Sequence, residues 1–141
     1  MNAIVHSRFG PPAEVLGLEE TDPPSAGPGQ VLVRVAADAV AKGDWLIARG
    51  WPFIARPSYG LRTPKYRIAG LEFAGTVEET GSGVTRFRPG DAVLGWGNGS
   101  LAELVALPEE NLAPKPGNIG FEQAAAIPVS GLAALQAVRD A

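Results

Sequence analysis

"GLEFAGTVEETGSG", residues 70–83, decides how the chain is read. Gly70, Gly75, Gly81 and Gly83 punctuate it, and Glu72 stands inside an apolar run between Leu71 and Phe73. Glycines this dense either cradle a nucleotide phosphate or turn the corners of a β-structure. A dinucleotide phosphate loop needs G-x-G-x-x-G between a strand and a helix, so that the backbone reaches the pyrophosphate at the helix N-terminus. G-x-G pairs begin at Gly27, Gly81, Gly95 and Gly97, and three residues past the second glycine stand Leu32, Arg86, Ser100 and Ala102. None completes the pattern, and none is read as opening a helix. The glycines are read as bends and close backbone contacts.

Outward from this stretch the chain reads as strands joined by turns. Residues 67–80 form one long expected strand, apolar on both faces at first and alternating from Val77 onward. "VLVRVAADAV", 31–40, places Val31, Val33 and Val35 on one face and Arg34 and Asp38 on the other, the period of a half-buried strand. Further strands are expected at "AIVHS", "VLGLEE", "SLAELVAL" and residues 92–96. The last follows Pro89-Gly90, in the order that a type II turn prefers. Composition and turn density place helix only at the end. Gly120 opens it as N-cap with Gln123 at the third position, Pro128 interrupts it, and Leu132, Leu135 and Val138 recur at helical spacing.

The chain has 141 residues, 45% of them hydrophobic, with a net charge of −3. That suits one globular domain, residues 1–141, and disfavours a nucleic-acid partner, which calls for a basic surplus. There is no cysteine, so a disulfide framework or a thiolate zinc site is excluded, and a cytoplasmic location is expected. His6 is the only imidazole. The N-terminus lacks the layout of a signal peptide, and the longest uncharged segment, 123–138, is short and broken by Pro128 and Gly131. No membrane partner is expected.

"GPGQVLVRV", "GLEFAGTVEETGSGVTRFRPGDAVLGW" and "LAELVALPEENLAPKPGNIGFEQAAAIPVSGLAALQAV", in this order and spacing, resemble the N-terminal catalytic domain of the medium-chain dehydrogenase/reductase superfamily. The resemblance spans nearly the whole chain and is nearest to the zinc-free quinone oxidoreductase and enoyl reductase-like members. It implies a mainly β, GroES-like, partly open barrel with short helices. A C-terminal helix from about residue 120 would lead to a Rossmann domain that binds most of the dinucleotide. At the three positions where the zinc alcohol dehydrogenases of this superfamily carry ligands, the chain has Ala41, Leu71 and Ala126. No metal is expected.

The resemblance further implies hydride transfer from NADPH, with NADH as the alternative, to a quinone or enone. It points to "AVAKGDWLIARGWP" as the cleft wall. Lys42 is a candidate donor to a substrate or cofactor oxygen, or else a solvated loop lysine. Asp44 is read as organising the turn, and Trp45 with Trp51 as an aromatic site for a planar ring or as plain core and rim residues. Ala41, Lys42 and Ser130 are the candidate cofactor contacts, Ser130 also being a plausible helix N-cap. Glu72 reads as a cleft carboxyl group or, more simply, as a structural acid satisfied by backbone donors. Arg49, Arg56, Arg62, Lys65 and Arg67 form a basic run with no acid between Trp45 and Leu71. It would steer an anion or lie as solvated surface. The sequence ends at "QAVRDA", so the expectation is the first part of a longer enzyme, inactive by itself and prone to self-association through exposed apolar surface. The alternative is a stand-alone GroES-like module that binds a ligand or partner without catalysis.

Overall fold

The structure, a computed structural model, describes residues 1–140. The chain opens with β1 (Asn2–Val5), the one-turn helix α1 (Pro12–Val15) and β2 (Gly17–Glu20), which pairs antiparallel with β1. β3 (Gln30–Asp38) follows, then the helices α2 (Lys42–Arg49) and α3 (Arg56–Tyr59), and then β4 (Glu72–Thr80). β5 (Ala92–Trp96), β6 (Leu104–Pro108) and β7 (Leu112–Pro114) lead to α4 (Phe121–Ala125) and α5 (Pro128–Arg139). β3 to β7 build one antiparallel sheet in the order β6-β3-β4-β5-β7. Two isolated bridges, Ala3 to Ala102 and Val5 to Ile68, tie the β1–β2 hairpin to it without closing the hydrogen-bonded ring. The architecture is mainly sheet with short helices, as the sequence implies.

The core follows from the alternation. Val31 and Val33 of β3 and Phe73 and Val77 of β4 bury one face against Phe87, Val93, Val105, Leu107 and Leu112. Removing each such side chain from water contributes about 1.5–3 kcal/mol. The opposite face is lined by small residues, Ala37, Ala39 and Ala74, and these let α4 approach through Ala124 and Ala125. Leu32 is buried as well, so the middle of β3 is covered on both sides.

Three expectations need correction. The strand expected from residue 67 begins only at Glu72, because Gly70 has φ +99° and turns the chain before β4. Helix is not confined to the end. α2 spans eight residues in the middle of the chain, with Gly50 left-handed at φ +63° as its stop. Ser130 is not an N-cap: Ile127 holds that position, and Ser130 is the third residue of α5. The Gly120 cap is present, its N–H donating to Gln123 Oε1 at 3.1 Å. The Pro89-Gly90 turn is also present, with Gly90 at φ +95° and Asp91 N–H bonded to the Arg88 carbonyl.

Gly75 answers for the glycines inside the strand. It lies opposite Val35, where β3 carries a bulge, and a Cβ there would stand 2.2 Å from the Arg34 carbonyl oxygen. No side chain fits without prying the two central strands apart. Gly75→Ala is therefore expected to lower stability by about 2–4 kcal/mol. Gly117→Ala, whose Cβ meets nothing within 4 Å, should stay within about 0.5 kcal/mol of the parent. Urea unfolding of both variants checks the contrast.

Candidate active site

The site is built around α2. Its first turn is fixed by Asp44, whose Oδ2 accepts the Ala41 N–H at 2.8 Å and so satisfies a donor that the helix cannot. Its last turn closes as Gly50 N–H donates to Ile47 and Trp51 N–H to Leu46, each at 2.9 Å. An acid three residues past Ala41 and a glycine after Arg49 mark the two ends of this helix, a faint signal that the expectation of helix only at the end passed over.

Three segments converge on Glu72, which is 2% exposed. The Ala39 N–H donates to its carbonyl at 3.2 Å, holding the loop that carries Ala41. The Val129 N–H donates to its Oε2 at 2.8 Å, holding the start of α5 just beyond Ala126. Leu71 is its chain neighbour. The elements bearing Ala41, Leu71 and Ala126 thus meet at one place, and these side chains offer no lone pair to a metal. Among the described residues no group of three or more His, Asp or Glu side chains is placed to hold one. Glu72 has found the backbone donor that its burial demands.

Beside this junction lies a pocket of about 130 Å³ with an almost wholly apolar lining. α2 supplies Trp45, Ile47 and Ala48, and Leu71 walls it from the β4 side. Its polar residues are few: His6, Asp44, Asn98, Tyr59 and Tyr66. Burial raises the Asp44 pKa above the usual carboxylate range, and the Ala41 N–H opposes that rise. Trp45 borders this space, whereas Trp51 is outside its lining and packs edge-to-face on Phe53, centroids 5.9 Å apart. The two tryptophans do not share one ring site. Lys42 and Ser130 are exposed in the first turns of α2 and α5, on segments that Glu72 holds together, and neither lines the pocket. Much of the basic run has local partners. Arg49 lies over the Trp45 ring, Arg56 bonds the Gly50 carbonyl and covers Phe9 and Phe53, and Arg67 pairs with Glu19.

Two further residues, Asp38 and His6, carry no functional signal in the sequence. At the end of β3 both carboxyl oxygens of Asp38 are buried without a hydrogen-bond partner, and so is the hydroxyl of Ser100. Burial pushes Asp38 up to about 7; the Ser100 hydroxyl pulls the other way, near enough to act but short of good hydrogen-bond geometry. Asp44 and Glu72 reinforce the rise.

Residues 27–117 match the family model for the alcohol dehydrogenase GroES-like domain. The chain belongs to that family. Over 98% of its length this GroES-like domain is 33% identical to the chloroplast envelope quinone oxidoreductase homolog of Arabidopsis thaliana, of which it covers 42%. The solved quinone oxidoreductase of Coxiella burnetii superposes on all of it with a TM-score of 0.86 at 33% identity, the match covering 45% of that chain. The Escherichia coli quinone oxidoreductase complexed with NADPH gives a TM-score of 0.83 at 28% identity, over 99% of this chain and 40% of that one. The chain therefore spans less than half the length of these relatives. Relatives are not confined to the cytoplasm, as the Arabidopsis name shows. Among the described residues no helix is long and apolar enough to cross a membrane.

The Asp38 carboxyl sets a pH dependence for this domain. Its folded pKa lies above the ordinary 3.8, so the folded state holds the proton more tightly than the unfolded chain. Stability is fully present below pH 4 and is lost as pH rises through 7. Asp38→Asn removes that loss. It should gain about 2–4 kcal/mol over the parent at pH 8 and far less at pH 4.5, read from urea unfolding at the two pH values.

Proposed function

We propose that this GroES-like domain is the substrate side of an NAD(P)H-dependent oxidoreductase that transfers hydride to a quinone or an activated alkene or carbonyl without zinc. The observation that carries this reading is the apolar pocket of Trp45 and Leu71 beside a junction whose three ligand positions hold Ala41, Leu71 and Ala126. A planar, weakly polar ring suits such a lining. With alanine, leucine and alanine at the three ligand positions, the substrate oxygen is polarised by hydrogen-bond donors. Tyr59, Tyr66 and Asn98, which carry such donors, are among the residues that line the same space.

When bound, NAD(P)H supplies the hydride, and the protein supplies orientation and electrostatics. Lys42 and Ser130, exposed in the first turns of α2 and α5 with Ala41 beside them, fit contacts to its nicotinamide end. Asp44 positions the first turn of α2, and Trp45 covers the ring. Trp51, on Phe53, sits at the rim. The pyrophosphate needs a G-x-G-x-x-G turn, which this sequence lacks, so we infer that a dinucleotide-binding domain works with this one.

The 141 residues joined to such a domain should oxidise NADPH with benzoquinone or an enone, unchanged by EDTA. The 141 residues alone should show neither turnover nor the several-degree thermal shift that a ligand at a hundred times its dissociation constant gives through about 2.7 kcal/mol. Loss of activity on chelation, restored by zinc, would overturn the metal-free reading.

A further inference from the structure

The segment that follows α2 holds large apolar side chains in solvent. Ile54 is 89% exposed and Leu61 70%, and Trp51 and Phe53 are more than half exposed. Single apolar residues on a surface are ordinary, but several within one short segment mark an interaction site. The segment is folded on itself. Trp51 packs edge-to-face on Phe53, and Ala55, Gly60 and Lys65 donate their N–H groups to the carbonyls of Pro52, Arg56 and Tyr59. These side chains are therefore displayed by ordered backbone.

Cations accompany them. Arg49, Arg56, Arg62 and Lys65 make no ion pair among the described residues, and no acid stands between Trp45 and Leu71. Arg49 and Arg56 lie over aromatic rings, which leaves their charge in place. The whole chain carries −3, so this segment opposes the rest in sign. A second copy is a poor cover for it: a two-fold contact would set the same cations against one another. The occupant has to join an apolar interior to a negative surface. A bilayer with anionic headgroups has both, and tryptophan, phenylalanine and leucine beside arginine and lysine is the composition that lies at its boundary.

We propose that residues 51–65 dock this domain on a membrane surface of anionic lipid. Trp51, Phe53, Ile54 and Leu61 enter the headgroup boundary, and Arg62 and Lys65 meet the phosphates. The lengths that argue against a membrane span say nothing against docking at the boundary. The same segment gives Tyr59 and Pro64 to the apolar pocket, so the pocket lies beside the docked surface. The proposal rests on that surface and not on what the pocket binds.

The test is co-sedimentation of the 141-residue chain with vesicles of phosphatidylserine and phosphatidylcholine in equal parts, and with vesicles of phosphatidylcholine alone. Binding should be at least about tenfold tighter to the anionic vesicles and should weaken as salt is raised. Arg62→Gln with Lys65→Gln should weaken it about tenfold to thirtyfold, at about fivefold for each charge. Ile54→Ser, at an exposed position where folding is not at stake, should weaken it about tenfold by removing apolar burial. Arg88→Gln, an exposed cation outside the segment, should leave it unchanged. The chain joined to a dinucleotide-binding domain should bind the same vesicles. No binding, equal binding to both kinds of vesicle, or an unchanged affinity in Ile54→Ser would overturn the proposal. Loss of binding in the joined protein, or a dimer in sedimentation that Ile54→Ser dissociates, would do so too, because protein would then cover the surface.

Discussion

The carboxyl group of Glu72 is the point on which the arrangement hangs. It begins β4, is sealed from solvent, and receives the Val129 N–H at 2.8 Å. Pro128 has no N–H to offer, so Val129 presents the first free donor of α5. The Glu72 side-chain oxygen there answers the orphan donor of the helix start. The same residue's carbonyl holds Ala39, so one residue joins sheet, loop and helix.

That anchor matters because α5 has little else. Of its twelve residues only Pro128 is buried. Leu132 and Leu135 border a groove with Leu94 and Trp96 and stay half exposed, and Val138 is open to solvent. The sheet, by contrast, carries the nine-residue core of Val31, Phe73 and their neighbours. A rigid sheet therefore holds a lightly seated helix through one buried polar contact, and the pocket opens beside that contact. The proposed chemistry depends on the junction being apolar where ligating side chains would otherwise stand, with hydrogen-bond donors at the pocket wall in place of a cation.

The parts legible in the sequence were those fixed by local rules. Val31, Val33 and Val77 alternate, Pro89-Gly90 turns, and Gly120 with Gln123 caps; each works within a few residues of chain. The beginning of β4 was not legible because residues 68–71 are uncharged and largely apolar, and Gly70 turns the chain at φ +99° against Leu101, whose amide nitrogen a Cβ would meet at 2.4 Å. α2 was hidden by Gly43 and by its length of eight residues. In the site, Ala41, Leu71 and Ala126 had meaning only through the resemblance, since alanine and leucine carry no chemistry of their own. His6 was silent because its partner, Tyr66, is 60 residues away. Asp38 read as the outward face of a strand, yet the fold buries its oxygens beside Ser100.

The most direct measurement is amide hydrogen exchange at Val129 in Glu72→Ala, taken relative to Val33 in the sheet core. Removing the acceptor leaves a buried N–H unsatisfied, which costs about 1–3 kcal/mol. Val129 and the first turn of α5 should therefore exchange about ten- to a hundredfold faster while Val33 keeps its rank. Unchanged protection at Val129 would contradict the account, because α5 would then be held by something other than Glu72.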